Sequence, residues 1–111
     1  MKYLITESQF DNIVFRYLDR KDYTIRKHGA STYFFNSGDE FSKIKYGGNH
    51  ANNELCFIYL GLINEVSSFF SLTDYQSTRI IGQWVKRKLN LEGQMSNKIM
   101  NFEWSLRIPT E

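Results

Sequence analysis

Apolar positions recur with two different periods along this chain. From Glu7 to about Lys21 the apolar residues Phe10, Ile13, Val14, Tyr17 and Leu18 return at three- and four-residue steps. That spacing predicts an amphipathic helix with Asp11, Asn12, Arg16, Asp19 and Arg20 on its solvent side. Thr6-Glu7-Ser8-Gln9 marks its start as a capping box. The Thr6 hydroxyl takes the Gln9 N–H, and the Gln9 side chain reaches back to the Thr6 N–H. Ile5 and Phe10 stand where a hydrophobic staple would put them, so a short strand over Tyr3–Ile5 turns sharply into the helix.

Beyond the helix the period drops to two. Tyr23, Ile25 and Lys27 alternate with their neighbours, and Ser31 to Phe35 is rich in β-forming residues. Asn36-Ser37-Gly38-Asp39 is a turn signal, and Phe41 to Tyr46 reads as the returning arm of a hairpin. Gly47 to Asn53 has loop composition, and Leu55 to Leu60 is apolar enough for a strand buried on both faces. Helical spacing resumes over Gly61 to Ser71, with Leu62, Ile63, Val66, Phe69 and Phe70 on one side. A second capping box, Thr73-Asp74-Tyr75-Gln76, opens a helix to about Leu89 with Ile80, Ile81, Trp84 and Leu89 inward. Asn90 to Lys98 reads as a loop. Phe102, Trp104, Leu106 and Ile108 then alternate with polar residues as a half-buried strand stopped by Pro109.

These elements specify an α+β fold: a small antiparallel or mixed sheet of about four or five strands, with the N- and C-terminal strands both in it, and three helices covering one face. With 111 residues, the expectation is a single domain over residues 1–111. Phe10, Ile13, Phe57, Phe69, Trp84 and Trp104 are the expected core.

Composition narrows the function more than the fold. A net charge of +2 demands neither nucleic acid nor an anionic membrane as partner. The single cysteine, Cys56, excludes an internal disulfide and reads as a small buried hydrophobe in a reducing compartment. The longest apolar run, Leu55 to Ile63, is too short to span a bilayer, and Lys2 is followed by too few apolar residues for a signal peptide. His28, His50, Cys56, Asp39 and Glu40 are the residues one could assemble into a catalytic or metal site, yet no pair has ligand spacing. No metal and no cofactor is expected. Gly47-Gly48-Asn49-His50 lacks the Lys-Ser/Thr ending of a phosphate loop and reads as a strand connection.

Two features point to binding. Arg79, Gln83, Lys86, Arg87 and Lys88 lie outward on the helix after Thr73, and with the preceding helix and a short turn they have a helix-turn-helix outline. Ser67, Ser71 and Ser77 replace the small, glycine and branched residues usual in such a unit. A helix C-terminus also favours Lys and Arg by its dipole alone. The 16% aromatic content is the other feature. Consecutive rings at Tyr33, Phe34 and Phe35 put apolar bulk on both faces of one strand, so Tyr33, Phe35 and Tyr46 are candidates for an exposed protein-binding patch, unless both faces are covered internally.

The opening Met1-Lys2-Tyr3-Leu4-Ile5-Thr6-Glu7-Ser8-Gln9-Phe10 resembles a group of small bacteriophage proteins that begin Met-Lys, two or three apolar residues, then Ile-Thr-Glu-x-Gln and an amphipathic helix. The run Leu62 to Leu91 is similar in style, pairing Phe69-Phe70-Ser71-Leu72 with a second helix bearing Ile81, Trp84 and Lys88. The resemblance implies a phage or phage-derived origin and supplies no catalytic residues. Together these readings favour a non-catalytic phage-encoded protein that binds a host or viral protein, as a host-takeover or anti-defence factor or a small virion component. It would work in the host cytoplasm or the virion, away from membranes, with self-association left open. The alternative is a nucleic-acid-binding protein using the basic helix.

Overall fold

The computed structural model describes residues 7–47 and 54–109. The expected N-terminal strand, Thr6 of the first capping box, most of the glycine-rich loop and His50 lie outside them. The order of elements is α1 (Glu7–Asp19), β1 (Thr24–His28), β2 (Ser31–Phe35), β3 (Ile44–Tyr46), β4 (Leu55–Tyr59), α2 (Leu60–Phe70), α3 (Asp74–Leu89) and β5 (Ser96–Met100), followed by a 3-10 turn at Glu103–Leu106. The architecture is α+β, with three helices and a five-stranded mixed sheet. Spatial order follows chain order from β1 to β5. Pairing is antiparallel up to β4, and β5 lies parallel to β4 after the α2–α3 crossover.

Alternation along the strands divides the sheet into two faces. Phe34, Ile44, Cys56 and Ile58 are fully buried and pack with Val14 and Leu18 of α1, Ile63 and Val66 of α2, and Ile80, Ile81, Trp84 and Val85 of α3. Register sets Ile25, Phe34, Ile44, Ile58 and Ile99 in one row across that face. Its two ends, Ile25 and Ile99, are exposed, so the helices cover the central strands and leave the edges open. Tyr33, Phe35 and Ile108 form a separate small cluster, whose two strand residues occupy the opposite face.

The helix pair turns on a polar lock. Thr73 caps α3: its hydroxyl accepts from the Gln76 N–H at 3.1 Å, and the Gln76 side chain accepts from the Thr73 N–H at 2.9 Å. Ser67 donates to Asp74 Oδ1 at 3.0 Å and lies 2.8 Å from the Ser77 hydroxyl. With its one proton on Asp74, Ser67 accepts from Ser77. The serines that depart from a helix-turn-helix pattern are thus the residues that fasten this corner. Ser71 closes α2 in the left-handed region, at φ 55° and ψ 47°. On the far side of α3, Gly82 admits the Asn97 side chain of β5; a Cβ there would meet the Asn97 amide atoms at 2.5 Å.

Three expectations fail, each for a physical reason. Phe102–Ile108 is not a sheet strand. The place beside β4 is taken by Ser96–Met100, which has few β-forming residues and was expected to be loop; the tertiary pairing overrides its weak propensity. The chain then turns at Glu103–Leu106, and only Leu106 and Ile108 of its apolar residues are buried. Trp104 is consequently 67% exposed rather than core; of the other expected core residues, Phe69 is 66% exposed beside Tyr17 and Phe70 on the helical layer, and Ile13 is exposed on α1. Phe10 and Phe57 are partly buried, and Trp84 is core. Of the expected return arm Phe41–Tyr46, only Ile44–Tyr46 joins the sheet. Phe41 instead bridges Arg107, and the buried Ser42 holds the Leu106 carbonyl through its N–H and its hydroxyl, both at 2.8 Å.

Two substitutions at the helix corner act in opposite directions. Thr73→Ala lowers stability by about 1 kcal/mol through loss of the cap. Ser71→Gly raises it by up to about 1 kcal/mol, because glycine enters the left-handed region without the Cβ penalty. Urea unfolding of the two variants checks both signs.

Candidate functional site

The expected aromatic patch is not a surface. Tyr33 and Phe35 are only 7% and 6% exposed, because Ile108 packs over them. Tyr46 is partly buried against the main core. Burial, then the neighbouring Glu54, pushes its phenol above the ordinary value. The segment that covers Tyr33 and Phe35 is the one expected to be an in-sheet strand, so one misplacement explains the other.

The expected basic helix face is dispersed, and two of its cations meet carboxylates. Arg79 faces Asp11 at 3.7 Å, and Lys88 pairs with Asp19 at 2.7 Å. Arg87 donates to Asn12 at 3.3 Å and lies over the Phe15 ring, while Lys86 donates to the Gly93 carbonyl. Gln83 is exposed. Arg16, Asp19, Trp84, Arg87 and Lys88 do line a cleft of about 530 Å³ between α1 and α3. The last turns of both helices meet there, and the partial negative charge of two helix ends disfavours an anion. The cations answer that charge. Burial acts to raise the Asp19 carboxyl, but hydrogen bonds from Lys88 and Trp84 and the charges of Lys88 and Arg87 outweigh it and hold it low. Helix α3 is also covered by α1, α2, β4 and β5, unlike a helix that must enter a groove.

The sheet carries a different arrangement. Register aligns Arg26, Tyr33, Lys45, Phe57 and Lys98 in a single row across all five strands. By alternation these side chains occupy the face opposite Phe34, Ile44 and Ile58, away from the helices. Cations and rings interleave. The Lys45 ammonium sits 5.5 Å from the Tyr33 ring centre and 5.9 Å from that of Phe57, and the Arg26 guanidinium lies 5.0 Å from Phe35. None of the five strand segments contains Asp or Glu. Among the described residues, Arg26, Lys27, Lys45 and Lys98 pair with no carboxylate. Phe57 and Tyr59, two residues apart on β4, are half-buried on this face, with Lys43 5.0 Å from the Tyr59 ring. Beyond β5, the Phe102 and Trp104 rings stand 6.0 Å apart and are 61% and 67% exposed.

Of the candidate catalytic residues that are described, Cys56, His28 and the Asp39–Glu40 pair lie apart from one another in the fold. Cys56 is fully buried, and burial pushes its thiol up to about 12, so it stays protonated. His28 ends β1 in solvent. Asp39 accepts from the Asn36 N–H inside its turn, and Glu40 pairs with Arg107 at 3.2 Å. Among the described residues no group of His, Cys, Asp and Glu could hold a metal, and no helix is long and apolar enough to cross a membrane. No known protein family, curated protein or solved structure matches the chain.

The helical layer binds itself together by charge. Glu65 of α2 accepts from the Tyr17 hydroxyl of α1 and pairs with Lys21. Burial acts to raise the Glu65 carboxyl, but these two partners prevail and hold it below its ordinary 4.5. A carboxyl lowered in the folded state contributes its full stability above the unfolded value and loses it as pH falls through the folded one. Glu65→Gln is therefore less stable than the parent protein at neutral pH, and the gap narrows as pH drops below 4.5. Denaturant titrations across that range measure it; a gap that widened in acid would contradict the assignment.

Proposed function

We propose that this protein is a non-catalytic binding protein whose recognition surface is the helix-free face of the sheet, and that its partner is anionic. One observation carries the reading: Arg26, Lys45, Phe57 and Lys98 share a row, completed by the Tyr33 that Ile108 covers, on strands without a carboxylate, whereas the helical layer pairs Lys21, Arg79 and Lys88 with Glu65, Asp11 and Asp19. Cations without carboxylates beside them give that face a local positive field, and such a field steers an anionic partner. The buried, protonated Cys56 and the solvent-exposed His28 support binding over catalysis. The resemblance of Met1–Phe10 to phage proteins supports a host–virus setting for that binding.

Retention on heparin, a polyanion, tests the surface. Lys45→Glu with Lys98→Glu elutes at markedly lower salt than the parent protein. Lys86→Glu with Arg87→Glu changes the net charge equally but removes residues of the helical layer, so it elutes closer to the parent. Equal losses in both double variants would show that net charge alone governs retention, and the sheet face would not be the binding surface.

A further inference from the structure

The interleaving of rings with cations narrows the class of partner. Resting on the assignment of the sheet face as the anion-binding surface, we propose that the partner is single-stranded nucleic acid, a base stacking on Phe57 and the phosphates held by Arg26, Lys45 and Lys98.

An acidic peptide would engage the cations but has no use for the Phe57 ring set between Lys45 and Lys98, the one ring of the row that Ile108 does not cover. A single strand offers the matching alternation, a flat apolar base and a charged phosphate in every nucleotide. Adjacent strands are about 4.8 Å apart, so the row from Arg26 to Lys98 is about 19 Å long. On β4, Phe57 is only half-buried, while the Tyr59 ring two residues on lies against Gly61 at the start of α2. A lysine stands over each, Lys45 at 5.9 Å and Lys43 at 5.0 Å. A cation over a half-exposed ring is held by only about 0.5–1 kcal/mol. Lys45 can therefore move from the Phe57 ring to a phosphate, leaving the ring to a base. Lys98 is exposed on the edge strand at the end of the row.

A duplex fits this surface poorly. Its base faces are closed inside the stack, and the rings of a sheet reach only unstacked bases. The element that could enter a groove, α3, lies in the helical layer with Arg79 and Lys88 paired to carboxylates.

Fluorescence anisotropy with labelled twelve-nucleotide probes tests the inference, using oligothymidylate, oligouridylate and a mixed-sequence duplex of equal length. The expected result is binding of one or both single strands at least tenfold tighter than the duplex, with affinity falling steeply as salt rises. Preference between the two single strands identifies DNA or RNA as the source. Lys45→Glu with Lys98→Glu weakens binding at least tenfold. Phe57→Leu, which keeps apolar bulk but removes the stacking face, weakens it by about fivefold or more, while Phe57→Tyr retains it. Circular dichroism and melting confirm that each variant is folded. Duplex binding as tight as single-strand binding, or full affinity in Phe57→Leu, overturns the inference. Retention on heparin without binding to either oligonucleotide also overturns it and leaves the anionic-partner reading standing. Loss of both removes that reading too.

Discussion

Trp84 is the point at which the two layers of the protein are fastened. Its indole lies 5.5 Å from the Phe34 ring of β2 and 6.3 Å from Tyr23, and its N–H donates to Asp19 of α1 at 3.0 Å. One side chain on α3 thus touches the sheet, the first helix and the link between them. A buried tryptophan removes about 150–250 Å² from water, worth about 4–6 kcal/mol at about 25 cal/mol per Å². A small domain has a total stability of about 5–15 kcal/mol. Position 84 therefore decides whether α1 and the sheet share a core. The fully buried neighbours Ile80, Ile81 and Val85 follow from the same face of the same helix.

Fixing the helices on one side has an electrostatic consequence. The layer holding Trp84 is also where the described ion pairs between helices and their ends accumulate, at Asp11, Asp19 and Glu65. Burial penalises the Asp19 and Glu65 carboxylates, and each is kept ionised by a cation set beside it. The strands have no such partners. Arg26, Lys45 and Lys98 are left without carboxylate partners on the side the helices do not cover, beside the half-buried Phe57. Charge segregation is thus a by-product of two-layer packing, and the proposed recognition surface inherits it.

What could be read from the chain follows from the range of the forces involved. Helix α3 runs from Asp74 to Leu89 as the Thr73 box and the apolar spacing indicate, and Ser31–Phe35 is the strand its composition suggests. Both signals are local. Ser96–Met100 carries no comparable signal; its place depends on the α2–α3 crossover delivering it to β4. Phe102 and Trp104 show the period of a strand, but the place beside β4 is held by Ser96–Met100 and the chain turns at Glu103–Leu106. The row on the open face was hidden for the same reason. Arg26, Lys45, Phe57 and Lys98 are unremarkable apart, and only strand register makes them adjacent. The basic residues of α3 were visible, but the partners of Arg79 and Lys88 on α1 lie far away in sequence, so that pairing was not.

The parallel pairing of β4 with β5 sets an order of assembly. From β1 to β4 each strand returns beside its predecessor, so contacts there close short loops. Strand β5 reaches β4 only after two complete helices intervene, and long loops slow the search for such contacts. The meander and its helices form the template, and the last strand docks onto a surface already built. That edge, like β1 at the other end, has a single neighbour, and the backbone amides of both exchange with solvent ahead of those in the central strands.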